Sequence, residues 1–226
     1  MSLAACSGKA IQHKDGTRGG RPLSVTGIAK SDVDDVAELA QRETVASLRR
    51  LAEKLYRRNP SELRKNPAAS LEAAVAQIFA PVNHWHLSPR RQLDWEASIR
   101  SAFDETFTGD RIDALMAGLL SMVMASYDHK TEIYLLDSLD PQKLYNAARN
   151  IEIAVWRLSN ARNASGQLLL LSNAVDAGGV ANLSFEREFG KLIATQDLIA
   201  RVIEDKTNRA IRFTVVNVAS MVFLPI

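Results

Sequence analysis

The chain has 226 residues, 46% hydrophobic and 24% charged; these are the proportions of a folded protein with one sizeable core or two small ones, and they exclude a wholly disordered or fibrous chain. Its 28 Lys and Arg against 26 Asp and Glu leave a formal charge of +2, too little for global attraction to nucleic acid, so an electrostatic partner has to be met by a local patch. The single cysteine, Cys6, excludes an intrachain disulfide and a zinc site of several thiolates, and the longest apolar stretches, Ile112 to Met124 around Asp113 and Phe213 to Ile226, fall short of the roughly 18 to 20 residues of a bilayer span.

Residues 7–30 carry Gly, Lys and Arg with few large apolar side chains, so they bury too little surface to offset the entropy of ordering and read as a tether. Ser31 then caps a helix with Asp32, Asp34 and Asp35 in its first turn; Val33, Val36, Ala40, Leu48, Leu51 and Leu55 recur at helical spacing, and the helix is expected to reach Arg58. Asn59-Pro60 predicts a new cap and a short helix ended by Pro67. Ser70 caps a third, with Leu71, Val75, Ile78 and Phe79 as its stripe and Pro81 as its stop. Ser88-Pro89 opens a fourth, in which Leu93, Ala97, Ile99, Phe103 and Phe107 are spaced three to four residues apart up to a break at Thr108-Gly109. Ile112 to Tyr127 is apolar on nearly every side, as in a central helix covered by its neighbours. Asp140-Pro141 repeats the cap-plus-proline signal ahead of a face of Leu144, Ala148, Ile151, Val155 and Leu158, widened by Ile153 and Trp156. Leu168 to Leu171 is a short apolar run and Gly178-Gly179 a loop. From about Ser184 a helix carries Phe185, Phe189, Leu192, Ile193, Ile199, Val202 and Ile203, and Ile211 to Leu224, lacking a partner strand, is expected to be a buried terminal helix. The fold class expected is all-α: a single-domain bundle of about eight helices over 31–226, behind the N-terminal segment 1–30.

Leu3-Ala4-Ala5-Cys6-Ser7-Gly8 resembles the lipobox of bacterial lipoproteins, in which small residues admit the signal peptidase and the thiol carries the lipid. The resemblance implies lipidation at Cys6, and Ser7 in place of Asp implies sorting to the outer membrane. Only Met1 and Ser2 precede this motif, so the reading expects an export segment ahead of Met1; without one the chain belongs in the cytoplasm. The stretches Tyr145-Asn146-Ala147-Ala148-Arg149-Asn150-Ile151-Glu152-Ile153-Ala154-Val155-Trp156 and Leu183-Ser184-Phe185-Glu186-Arg187-Glu188-Phe189-Gly190-Lys191-Leu192 resemble a group of uncharacterised proteobacterial α-helical lipoproteins. That resemblance covers about the C-terminal 80 residues and implies an address but no activity.

Arg49, Arg50, Lys54, Arg57 and Arg58, with Arg64 and Lys65 beyond them, set cations against only Glu53 and Glu62. They form a candidate patch for anionic headgroups or an acidic partner, and equally a helix end that complements its own dipole. His84-Trp85-His86 offers two imidazoles but no further ligand, which falls short of a metal site. Asp128, His129, Glu132 and Asp137 cluster between two helices, yet the chain lacks the Glu-x-x-His spacing of a di-metal carboxylate bundle and reads there as a polar turn. A nucleophile elbow, a phosphate-binding glycine loop, a dinucleotide fingerprint and a zinc helix are all missing from the sequence, so neither a catalytic residue nor a cofactor is expected. The sequence therefore points to a non-enzymatic cell-envelope lipoprotein at the periplasmic face of the outer membrane, anchored through Cys6 and binding or supporting another envelope component. The alternative is a binder of a small apolar or lipidic ligand between the helices of Ile112 to Met124 and Ile151 to Leu158.

Overall fold

The computed structural model describes residues 32–80, 94–134, 137–175, 181–207 and 225–226. Within them run α1 (Asp32–Arg58), α2 (Pro60–Leu63), α3 (Leu71–Ile78), α4 (Trp95–Ala102), α5 (Arg111–Ser126), α6 (Pro141–Asn160) and α7 (Ser184–Thr207). A short antiparallel strand pair, β1 (Ala174–Val175) and β2 (Ala181–Asn182), sets Ala174 opposite Asn182 just before α7. The all-α expectation holds, with seven helices among the described residues; the eighth expected helix, Ile211 to Leu224, lies outside them, as do Gly178-Gly179 and Ser88-Pro89.

Helices α3 to α6 each start where the sequence supplies an acceptor. The Ser70, Asp94, Asp110 and Asp140 side chains accept from backbone N–H groups of the first turns of α3, α4, α5 and α6, which satisfies donors that a helix start leaves free. α1 carries Asp32, Asp34 and Asp35 in its first turn and Arg57 and Arg58 in its last, the charge order that the helix dipole favours.

Four long helices close a ring, α1 against α5, α5 against α6, α6 against α7 and α7 back against α1. The polar contacts give its directions. Tyr56 near the end of α1 bonds Asp110 at the start of α5, while Gln41 near the start of α1 bonds the Lys130 carbonyl beyond α5's end; α1 and α5 are antiparallel. Arg50 meets Glu188 and Lys206 meets Asp34, so α1 and α7 are antiparallel as well. α5 is the centre: all its residues except Asp113 and Ala125 are buried, because α1, α3, α4 and α6 cover it. Ile112, Leu115, Met116, Leu119, Met122 and Met124 are among the largest fully buried side chains, and burying each removes roughly 1.5 to 3 kcal/mol of apolar exposure.

Several sequence expectations need correction. α2 stops at Leu63 rather than at Pro67, and the Asn59 side chain does not cap it. Asn59 instead donates to the carbonyls of Leu55 and Leu171, both at 2.9 Å, and accepts from the Leu171 N–H at 2.7 Å, pinning the Leu168–Leu171 run to the end of α1. α4 begins at Trp95 and ends at Ala102, so Phe103 and Phe107 lie in a loop, not on a helix. Arg111 is the reason: its guanidinium donates to the carbonyls of Ala102, Asp104, Glu105 and Phe107 at 2.6 to 3.2 Å, and those oxygens are thereby turned away from a helical ladder. Val36 and Trp156 are exposed, at 44% and 40%; both fall beside rather than within the stripes that α1 and α6 bury.

Candidate anion-binding site

Positions 50, 54, 57 and 58 of α1 fall within about a third of the helix circumference at 100° per residue. They flank the start of α7, which the antiparallel α1–α7 pairing brings to the end of α1. Arg49, about 100° the other way, is separated from them: its guanidinium lies 4.8 Å from the centroid of the Phe79 ring and so faces α3. The patch expected as a unit is thus divided, with Arg50, Lys54, Arg57 and Arg58 at the α1–α7 corner and Arg49 apart.

Within that corner the cations differ in what they meet. Arg50 donates to Glu188 at 3.1 Å and to the Ser47 hydroxyl at 2.7 Å. Burial alone raises the Glu188 carboxyl, but hydrogen bonds from Lys191 and Arg50 outweigh it and hold the group below the usual carboxylate range. Arg57 lies 4.0 Å from Glu53, with two thirds of its side chain exposed. Lys54 meets no carboxylate among the described residues; its ammonium stands 5.0 Å from the centroid of the Phe185 ring, a cation–π contact that holds it at the rim. Arg58 is likewise exposed and makes no ion pair among the described residues.

These three side chains, Lys54, Arg57 and Arg58, line one wall of an open cleft of about 210 Å³, and Asn182, Ser184 and Phe185 line the other. The Asn182 side-chain oxygen accepts from the Ser184 N–H at 3.0 Å, and α7 opens there with the positive end of its dipole. Glu186 is held to Asn173 at 2.7 Å. The cleft is open to solvent and has room for an anion of a few heavy atoms with its water. One such charge 4 Å from a cation gains about 1 kcal/mol in bulk water and about 4 kcal/mol at a protein surface, so the corner can retain an anion only where several cations act together, and less well as salt rises.

Asn182, Ser184 and Phe185 could not be found by sequence reasoning, because their neighbourhood with Lys54 depends on residues more than a hundred positions apart. Cys6, the lipidation candidate, and His84-Trp85-His86 lie outside the described residues. The acidic cluster is dispersed as a polar turn: Asp128 pairs with Lys143 at 2.8 Å, Asp137 with Lys130 at 2.6 Å, and Glu132 accepts from the Tyr134 hydroxyl. Among the described residues, no group of three or more His, Cys, Asp or Glu is arranged to hold a metal ion, and no helix is long and apolar enough to cross a membrane. The chain matches no model of a known protein family, no curated protein and no solved structure.

Proposed function

We propose that this chain is a non-enzymatic lipoprotein of the cell envelope, anchored through Cys6, whose helical body turns the α1–α7 corner toward an anionic membrane surface. The observation that carries the reading of the body is the set of Lys54, Arg57 and Arg58 on one wall of a cleft, two of them without a carboxylate partner among the described residues. The lipobox-like Leu3-Ala4-Ala5-Cys6 and the resemblance of the C-terminal stretches to uncharacterised proteobacterial lipoproteins support the address. Segment 1–30 holds five Lys and Arg against one acid, so within a chain of formal charge +2 the body itself is slightly negative. It has no long-range attraction to an anionic bilayer, and the corner can act there only as a local patch on a body that the Cys6 anchor holds at the surface.

Two measurements test this. Mass spectrometry of protein isolated from its own cells is expected to find Cys6 as an acylated N-terminal residue; a bare thiol there removes the anchor. Cosedimentation of the unacylated chain is expected to show binding to vesicles rich in phosphatidylglycerol, weakening with salt, but not to phosphatidylcholine. Equal behaviour toward both lipids would dismiss the role given to the corner.

A further inference from the structure

Resting on the reading of the corner as a contact for an anionic surface, we infer that its open cleft takes a phosphate group, carried by a lipid headgroup or free in solution. The cations are placed on a wall rather than scattered. Arg57 and Arg58 are consecutive, so their side chains leave α1 about 100° apart, and Lys54 sits one turn earlier, held by the ring of Phe185 at 5.0 Å. The second wall is uncharged: Asn182 and Ser184 bring polar side chains to it beside the Phe185 ring.

Donors arriving from two walls suit a tetrahedral oxyanion. A phosphate offers three or more acceptor oxygens pointing in different directions, so guanidinium groups, an ammonium and a hydroxyl can each take one. A carboxylate offers two oxygens in one plane, and would leave part of this set unused. The neighbouring acids among the described residues are already engaged: Glu188 with Arg50 and Lys191, Glu186 with Asn173, and Glu53 with Arg57 at 4.0 Å, the longest of these contacts. A phosphate would draw Arg57 away from Glu53 at little cost, because an exposed pair of that geometry contributes close to nothing.

The test titrates inorganic phosphate into the full chain, read by ³¹P NMR line broadening, with acetate at equal ionic strength as the comparison. In parallel, the chain is sedimented with phosphatidylcholine vesicles carrying either phosphatidic acid or an anionic lipid without phosphorus, at matched surface charge. Saturable phosphate binding that acetate does not displace is expected. Arg57→Gln combined with Arg58→Gln should weaken it about tenfold or more, and Ser184→Ala by several-fold, as loss of charge-assisted hydrogen bonds implies. Arg64→Gln, an exposed cation outside the cleft, should leave it unchanged, and thermal melts identify any variant that has lost its fold. Phosphate binding with a preference for phosphatidic acid supports the site and assigns it to a headgroup. Phosphate binding without vesicle binding supports the site, assigns it to free phosphate and removes the membrane reading. Vesicle binding that follows charge density alone, with no saturable phosphate and no effect of Ser184→Ala, overturns the site and leaves the membrane reading standing. Binding to neither probe overturns both.

Discussion

Asp110 accepts four hydrogen bonds. One carboxylate oxygen takes the N–H groups of Ile112 and Asp113 at 2.9 and 3.1 Å, and the other takes the Tyr56 hydroxyl at 2.6 Å and the Asn66 amide at 2.8 Å. One side chain thus caps the central helix and joins it to the end of α1 and the turn after α2. Burial and the adjacent Asp110 carboxylate push the Tyr56 hydroxyl far above its ordinary range, so it stays a neutral donor. Asp110→Ala removes a cap worth about 1 kcal/mol and strands two donors at about 1 to 3 kcal/mol each. A loss of about 3 kcal/mol is expected in urea unfolding, against about 1 kcal/mol for Tyr56→Phe; equal effects of the two would mean that the carboxylate is not the hub. The sequence marked this place only as a break at Thr108-Gly109, since a cap residue is visible locally but its tertiary donors are not. Asn59 teaches the same lesson in reverse: its position before Pro60 announces a cap, and a backbone 112 residues away takes the side chain instead. Asp137 gives the residue scale its pH dependence. The hydrogen bond from Lys130, then that from the Tyr134 N–H, holds its carboxyl below the ordinary value of 3.8. A depressed carboxyl stabilises the fold above its unfolded pKa and loses that contribution as pH falls through the folded value. Asp137→Asn is therefore expected to be less stable than the parent by about 1 kcal/mol at neutral pH, with the gap closing as pH falls below the ordinary carboxylate range and through the depressed folded value. A gap that persists unchanged in acid would rule out the charge as its source.

Helices α4 and α5 cross where α5 has a glycine. A Cβ built on Gly118 would stand 2.6 Å from Ile99 Cγ1 and 2.9 Å from the Trp95 carbonyl oxygen, and the second neighbour is backbone that cannot rotate away. The glycine thus sets the approach of the two helices, and Ser98 exploits it by donating to the Ala114 carbonyl at 2.8 Å. Gly118→Ala is expected to destabilise by about 1 to 3 kcal/mol through overpacking, although alanine favours a helix. Gly190 is its internal control: it lies exposed in α7 with nothing within 4 Å of a built Cβ, so Gly190→Ala should stabilise by about 0.5 to 1 kcal/mol. Opposite shifts in melting temperature check both; a stabilising Gly118→Ala would show that the crossing has slack. At this scale the sequence was most readable. The start of α3, the start of α6, the end of α1 and the burial of α5 all follow from caps, prolines and apolar spacing. Spacing alone carries α4 too far because Phe103 and Phe107 keep a helical interval, and it cannot distinguish a helix from a loop whose carbonyls the Arg111 guanidinium takes.

The order of the ring α1–α5–α6–α7 is not readable in any single segment. It is fixed by side chains that meet across long separations, Lys206 with Asp34 at 2.7 Å and Arg149 with Asp197 at 2.7 Å, and by the faces left after each helix has buried its stripe. The same is true of the corner: the cations of α1 stand out in the sequence, whereas the wall facing them comes from the start of α7 and exists only once the ring has closed. Closure also determines how stability is distributed. α5 is covered on all sides by α1, α3, α4 and α6, so its amides can reach solvent only when the ring opens as a whole. α2 spans four residues and α3 and α4 eight each, too few turns to persist once detached, and α2 is exposed at Pro60 and Ser61. Amide hydrogen exchange is therefore expected to rank α5 slowest, at the free energy of global unfolding, with α1 and α7 near it and with α2 and the 161–169 turn fastest through local opening. Added denaturant should leave the exchange of the turn almost unchanged while steeply accelerating that of α5, because only global opening exposes much surface. Should α5 instead exchange at the rate of α3 and with as little denaturant dependence, the ring would open by releasing its centre, and α5 could not be the element on which the other helices assemble.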